Sequence, residues 1–146
     1  MGVIKSRTEV RAPYEIVKKL FLDREGKLFK FLIPSFCEVT HYKGIRRGAV
    51  IKLKLFDKPC EFKVITYSTN KNKTSFNYII TKGDIFNAKF WSHRHFIERY
   101  EDNTVIRDEL AFTSKNKIRD AFLHAFLFCS FRIRSLKYKI FLFFNK

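Results

Sequence analysis

From Phe90 to Phe112 the chain reads FWSHRHFIERYEDNTVIRDELAF, and the rest of the sequence is read outward from this stretch. Residues i and i+2 of a strand point to the same side. Trp91, His93 and His95 therefore share one face of a strand expected over Phe86–Arg99. The polar run YEDN, Tyr100–Asn103, turns the chain, and Thr104–Thr113 returns beside it. Closing the hairpin at Asp102 and Asn103, or one step away, sets Asp108 opposite Ile97 or His95 on the same face. Thr104, Ile106, Leu110 and Phe112 share that face with Asp108. The expected scaffold is an antiparallel sheet whose buried side carries a histidine pair, a carboxylate and a tryptophan among apolar walls.

Upstream the same two-residue period recurs. Phe36–Lys43 reads as a strand, and Ile51, Leu53 and Leu55 alternate with Lys52 and Lys54. Asp57–Pro59 is turn chemistry, and Cys60–Ser68 completes a hairpin. After the polar turn Asn70–Lys73, Phe76, Tyr78 and Ile80 form another alternating strand, ended by KGD at Lys82–Asp84. At the start of the chain, Val3–Val10 places Ile4, Ser6, Thr8 and Val10 on one side. Ala12 and Pro13 then open a short helix whose apolar stripe is Ile16, Val17, Leu20 and Phe21. A second short helix fits Glu25–Leu32, with Pro34 as its stop signal.

Downstream the period changes. Asn116–Phe141 contains no Gly or Pro, and Ile118, Phe122, Ala125, Cys129, Ile133, Leu136 and Ile140 recur at three- and four-residue steps. That spacing predicts a long C-terminal helix with this stripe against the core. Phe126, Phe128 and Phe131 make its middle apolar nearly all round, which predicts deep burial there. The order of elements is strand, two short helices, a run of antiparallel strands and one long helix. This is an α+β pattern: a six- to seven-stranded antiparallel sheet with one face to bury, and one helix large enough to cover it.

The 146 residues hold no repeat or linker-like stretch, so 1–146 is expected to be a single domain. The net charge of +16 is spread along the chain, and Lys and Phe abound where Gly and Pro are scarce. A codon bias toward AT accounts for that composition, so nucleic acid is not the expected partner. Cys37, Cys60 and Cys129 have no metal-ligand spacing and are expected as reduced thiols, in a cytoplasmic protein. No secretory signal is expected, since Lys5 and Arg7 interrupt the start, and the myristoylation-like MGVIKS is too short a pattern to count. The most apolar run, Ala121–Phe131, is about half the length of a membrane span, so no transmembrane segment is expected.

Three local patterns, in this order, resemble one superfamily. RAPYEIVKKLFLDREGKLFKFLIP, Arg11–Pro34, resembles an opening in which the first strand ends at Ala-Pro and leads into two short helices before a Pro. Phe90–Phe112 resembles a Trp-x-His-x-His-x-Phe strand followed by a Thr-x-x-x-Asp return strand. FCSFRIRSL, Phe128–Leu136, resembles a Phe-x-Tyr-Arg segment of a last helix, with Phe131 in the Tyr place. The chain thus resembles the START-like, or SRPBCC, superfamily of polyketide cyclases and birch-pollen-allergen-like proteins, and within it a bacterial branch with the Trp-His-His strand. The resemblance implies a helix-grip fold, in which a curved sheet wraps the last helix around a cavity for lipids, polyketides, hormones and other apolar small molecules.

The residues themselves leave several readings open. Apolar walls with a few convergent polar groups suit a ligand pocket. Its candidate lining from the sheet is Trp91, His93, His95, Asp108, Phe76, Tyr78, Leu110 and Phe112, and from the helix Phe122, Ala125, Phe126 and Cys129. The histidines could instead hydrogen-bond Asp108 and simply pack the sheet. His93, His95 and Asp108 are also the candidates for acid–base catalysis. Two histidines at i and i+2 can share a zinc ion, but no spacing demands a third ligand from Asp108, His41 or His124, so no metal or cofactor is expected. His124 is read as a core residue or a second cavity histidine. The leading expectation is a domain binding a small apolar or amphipathic molecule, as a monomer or weak homodimer. The alternatives are a cyclase- or hydrolase-type enzyme and a basic module for anionic membrane or nucleic acid.

Overall fold

A computed structural model describes residues 1–145. The chain runs β1 (Gly2–Val10), α1 (Tyr14–Leu22), α2 (Lys27–Leu32), β2 (Cys37–His41), β3 (Val50–Leu55), β4 (Lys58–Thr69), β5 (Lys73–Lys82), β6 (Phe90–Tyr100), β7 (Asn103–Thr113) and α3 (Lys117–Asn145). The strands form one seven-stranded antiparallel sheet in the order β1-β7-β6-β5-β4-β3-β2. Every pair except β1–β7 joins strands consecutive in sequence, and that exception brings the N-terminal strand back beside the last one.

The two-residue alternation explains which face is buried. Trp91, His93, His95 and Ile97 of β6 and Thr104, Ile106, Asp108, Leu110 and Phe112 of β7 all lie inside. Ile4, Thr8 and Val10 of β1 continue the face at one edge, and Phe76, Tyr78, Phe62, Val64 and Ile51 extend it toward the other. Strand β6 starts at Phe90 rather than Phe86. Gly83 adopts φ +87°, and a Cβ there would stand 2.4 Å from the Pro59 carbonyl oxygen, so the turn after β5 needs glycine. Phe86 and Asn87 follow with φ +52° and +59°, a left-handed backbone no strand can hold.

α1 is anchored by Tyr14, whose hydroxyl is 2.8 Å from Thr74 Oγ1 and donates to the Asn70 carbonyl. α3 begins where Asn116 Oδ1 accepts from the Arg119 amide, a capping bond that satisfies a free N–H of the first turn. The helix is rotated from its expected setting. Leu123, Leu127, Phe131, Tyr138 and Leu142 face the sheet. Ile118, Phe122, Ala125, Cys129, Ile133, Leu136 and Ile140 face solvent, and Phe126 and Phe128 are each 45% exposed, so the middle of the helix is not deeply buried. The physical reason lies in the inner face. It carries polar side chains with partners inside: Ser135 Oγ meets Thr8 Oγ1 at 2.6 Å, and Arg134 and Tyr138 reach β7. Hydrophobic periodicity therefore selects the outer stripe, while hydrogen bonding fixes the inner one.

Candidate functional site

β6 and β7 register His95 directly opposite Asp108, and β5 sets Tyr78 opposite His93. These four side chains, with Arg134 and Tyr138 from α3, form one buried polar network. The Tyr78 hydroxyl is 2.7 Å from His93 Nδ1, and His93 Nε2 is 3.3 Å from Asp108 Oδ1. His95 Nδ1 lies 2.6 Å from the same carboxylate oxygen, although its N–H is not aligned for a proper hydrogen bond. Tyr138 donates to Asp108 Oδ2 at 3.1 Å, and Arg134 Nε donates to the Tyr138 hydroxyl at 3.0 Å. Arg134 Nε is also 3.9 Å from Asp108 Oδ2.

The charges follow from these surroundings. Burial, and then the neighbouring His95, push His93 down to about 3. Burial also lowers His95, against the pull of Asp108. Burial opposes the Asp108 charge, but His95, Arg134 and the histidine hydrogen bonds outweigh it and hold the carboxyl well below its usual range. Burial works against the Arg134 charge too, and Tyr138 and Asp108 keep it protonated. At neutral pH the network is thus one carboxylate and one guanidinium joined by neutral phenols and imidazoles. An ionised Asp108 can only accept, so His93 donates from Nε2 and accepts at Nδ1 a hydrogen bond from the Tyr78 hydroxyl.

Beside the network lies a cavity of about 140 Å³. Its walls are mostly apolar, with Leu32 from α2, Ile51 and Phe62 from β3 and β4, Trp91 from β6, and Leu127 and Phe131 from α3. Tyr78, His93, Ser130 and Arg134 supply the main polar lining, and the thiols of Cys37 and Cys60 border it. Phe36, Phe86 and Phe126 also line it, with the Phe86 and Phe126 rings 5.5 Å apart. Among the described residues nothing accepts a hydrogen bond from the two Nη groups of Arg134, whose one such bond is made through Nε.

Of the expected lining residues, Trp91, His93, Tyr78 and Phe126 border this cavity. His95 and Phe76 border a separate void of about 10 Å³. Asp108, Leu110 and Phe112 are buried behind the wall. Phe122, Ala125 and Cys129 point to solvent, because α3 is rotated away from the expected stripe. His124 is exposed for the same reason, its ring 6.5 Å from Phe112. Arg134, Tyr138 and Ser130 were not expected. The signal available for them was polar residues at four-residue steps, 130, 134 and 138, within an otherwise apolar helix.

The donor atoms of His93, His95 and Asp108 lie within 4.8 Å of one another, close enough to bracket a cation. Arg134 already balances Asp108, so a divalent ion here would add uncompensated charge in a buried site.

The sequence matches no family model and no curated protein. Solved structures do match along nearly the whole chain. Norcoclaurine synthase from Thalictrum flavum, solved in complex with dopamine and hydroxybenzaldehyde, is 14% identical with a TM-score of 0.66, covering 99% of this chain and 88% of its own. The Aha1 dimer from Colwellia psychrerythraea is 14% identical with a TM-score of 0.67 over 95% of this chain and 94% of its own. The fold is the helix grip. A major latex-like protein from Panax ginseng shares it at 12% identity and a TM-score of 0.64, over 93% of this chain and 95% of its own. At these identities the likeness is one of architecture. In this helix grip the cavity is bounded by the sheet, α2 and α3, and its charged side chain comes from α3. Among the described residues no helix is long and apolar enough to cross a membrane.

Proposed function

We propose that residues 1–146 act as one cytoplasmic unit that binds a small apolar molecule with an oxygen-bearing head, without turnover. The observation that carries this reading is the Arg134 guanidinium bordering an otherwise apolar cavity with both Nη groups unengaged. These donors remain accessible at the cavity wall, and a carbonyl or carboxylate oxygen placed there would accept from them. A cavity of about 150 Å³ lined by apolar side chains accommodates a benzene ring, so a space of about 140 Å³ suits one ring or a short chain. Norcoclaurine synthase, on the same fold, was solved with two single-ring molecules, dopamine and hydroxybenzaldehyde. The enzymatic alternative is less well supported. Among the described residues His93 is the only histidine bordering the cavity, and both its ring nitrogens are engaged, one by Tyr78 and one by Asp108.

The test compares benzoate, benzaldehyde and benzene by NMR titration of the whole chain. The expected result is tighter binding of the two oxygen-bearing rings, with the preference lost in Arg134→Met while benzene still binds. Equal affinity for all three in the native chain would defeat the reading. A native mass spectrum before and after organic extraction would identify any resident ligand.

A further inference from the structure

The outer face of α3 is apolar where a helix on a protein surface is normally polar. Phe122, Phe126, Ile133, Leu136, Ile140 and Phe143 follow one another at steps of four, seven, three, four and three, and each is between 41% and 76% exposed. At 3.6 residues per turn they fall within a band about 100° wide, and from Phe122 to Phe143 the band runs for about 32 Å. Monomeric proteins rarely leave a continuous apolar surface of that length in water.

The margins of the band are basic. Arg119 and Lys137 fall along one side, Arg132 and Lys139 along the other. The helix carries a single carboxylate, Asp120, which is engaged by the Ser114 amide. Arg132 lies over the Phe128 ring at 5.0 Å, and Lys137 lies 5.9 Å over the Phe31 ring with its ammonium donating to the Ile33 carbonyl, so both long side chains lie along apolar surface. A second copy seated on this face would press Arg132, Lys137 and Lys139 against their own counterparts, which like charges disfavour.

We propose that this face of α3 docks on a bilayer surface containing anionic lipids. The Phe and aliphatic side chains enter the acyl boundary, and the basic margins meet the lipid phosphates. A flat lipid surface accepts a wide band of any register, whereas a partner helix fits only a narrow seam. The net charge of +16 draws the whole molecule toward the same surface. The band is also continuous with the cavity. Phe126 belongs to both, so an apolar molecule moving between bilayer and cavity can stay in contact with apolar side chains.

The experiment is vesicle co-sedimentation of the whole chain, with phosphatidylglycerol-containing vesicles against phosphatidylcholine alone, at low and high salt. Two variants accompany it. Leu136→Glu with Ile140→Glu alters the band without touching the cavity lining, and Arg132→Gln with Lys139→Gln alters one margin. Binding is expected only to the anionic vesicles and is expected to weaken with salt. The band variant should lose at least about tenfold in affinity, the margin variant less, and both should keep their circular dichroism spectrum and benzoate binding. Benzoate binding fails or survives independently, so the cavity reading and the docking reading are separable. No binding by the native chain overturns the proposal. So does undiminished binding by the band variant, which would mean attraction by charge alone. A concentration-dependent dimer in sedimentation equilibrium, abolished by the band variant, would assign the face to a second copy instead.

Discussion

Asp108 on β7 lies opposite His95 on β6, and its carboxylate also accepts from Tyr138 on α3, so one buried charge ties the sheet to the helix that covers it. Its counter-charge is Arg134, one helical turn before Tyr138. Replacing Asp108 with Asn keeps the shape but leaves the Arg134 cation buried without compensation. The expected cost is about 3–5 kcal/mol in urea unfolding. Adding Arg134→Met should recover most of it, because both charges are then gone. A double variant no more stable than Asp108→Asn would show that the two residues do not act as a pair.

The histidines make stability depend on pH with a defined sign. His93 is lowered to about 3 in the folded chain from an ordinary 6.5, and His95 is lowered as well. Below 6.5 the unfolded chain therefore binds protons that the folded chain refuses. Stability falls as the pH drops through this window, by up to about 1.4 kcal/mol per pH unit per histidine. Asp108 adds a further loss below its ordinary 3.8, since its folded value is depressed. Denaturant midpoints near pH 7.5, 6 and 5 should thus decline in that order, steepening below about 6.5. A flat profile across those values would mean that the histidines titrate in the fold as they do in the unfolded chain.

The sequence made the sheet legible because the strands alternate cleanly. The register of β6 on β7 was one of two expected settings, and the sheet adopts the one that joins His95 to Asp108. The rotation of α3 was not legible. Its outer stripe is the more hydrophobic one, and the inner face is held by Ser135, Arg134 and Tyr138, whose partners lie more than a hundred residues away or on a neighbouring strand. Hydropathy ranks those residues as exposed, and only the tertiary partner reverses the ranking. The same blind spot hid Arg134 from the cavity lining, since an Arg in a helix reads as surface.

That rotation can be checked by a pair of truncations. Leu127 is buried and Leu136 is 58% exposed, although both stand in the same helix. Leu127→Ala should cost about 2–5 kcal/mol, through lost burial and the cavity it leaves. Leu136→Ala should stay within about 0.5 kcal/mol of the native chain. The opposite ranking in thermal or urea unfolding would restore the stripe expected from periodicity and remove Arg134 from the cavity.

The three thiols offer a probe of the cavity that needs no known ligand. All are free, with Cys129 exposed on α3, Cys37 half-buried and Cys60 buried, and the last two border the cavity. Burial raises the Cys37 thiol to about 11, so very little of it is thiolate at neutral pH. Burial raises Cys60 as well. Because the thiolate is the nucleophile, iodoacetamide should modify Cys129 first and the other two slowly. Raising the pH should accelerate Cys37 steadily toward its own titration range. Saturating benzoate should slow Cys37 and Cys60 and leave Cys129 unchanged, since only the first two share a wall with Arg134. Peptide mapping after timed quenching reads all three rates in one experiment. Protection of Cys129, or none of Cys37 and Cys60, would place the bound molecule outside the cavity between the sheet and α3.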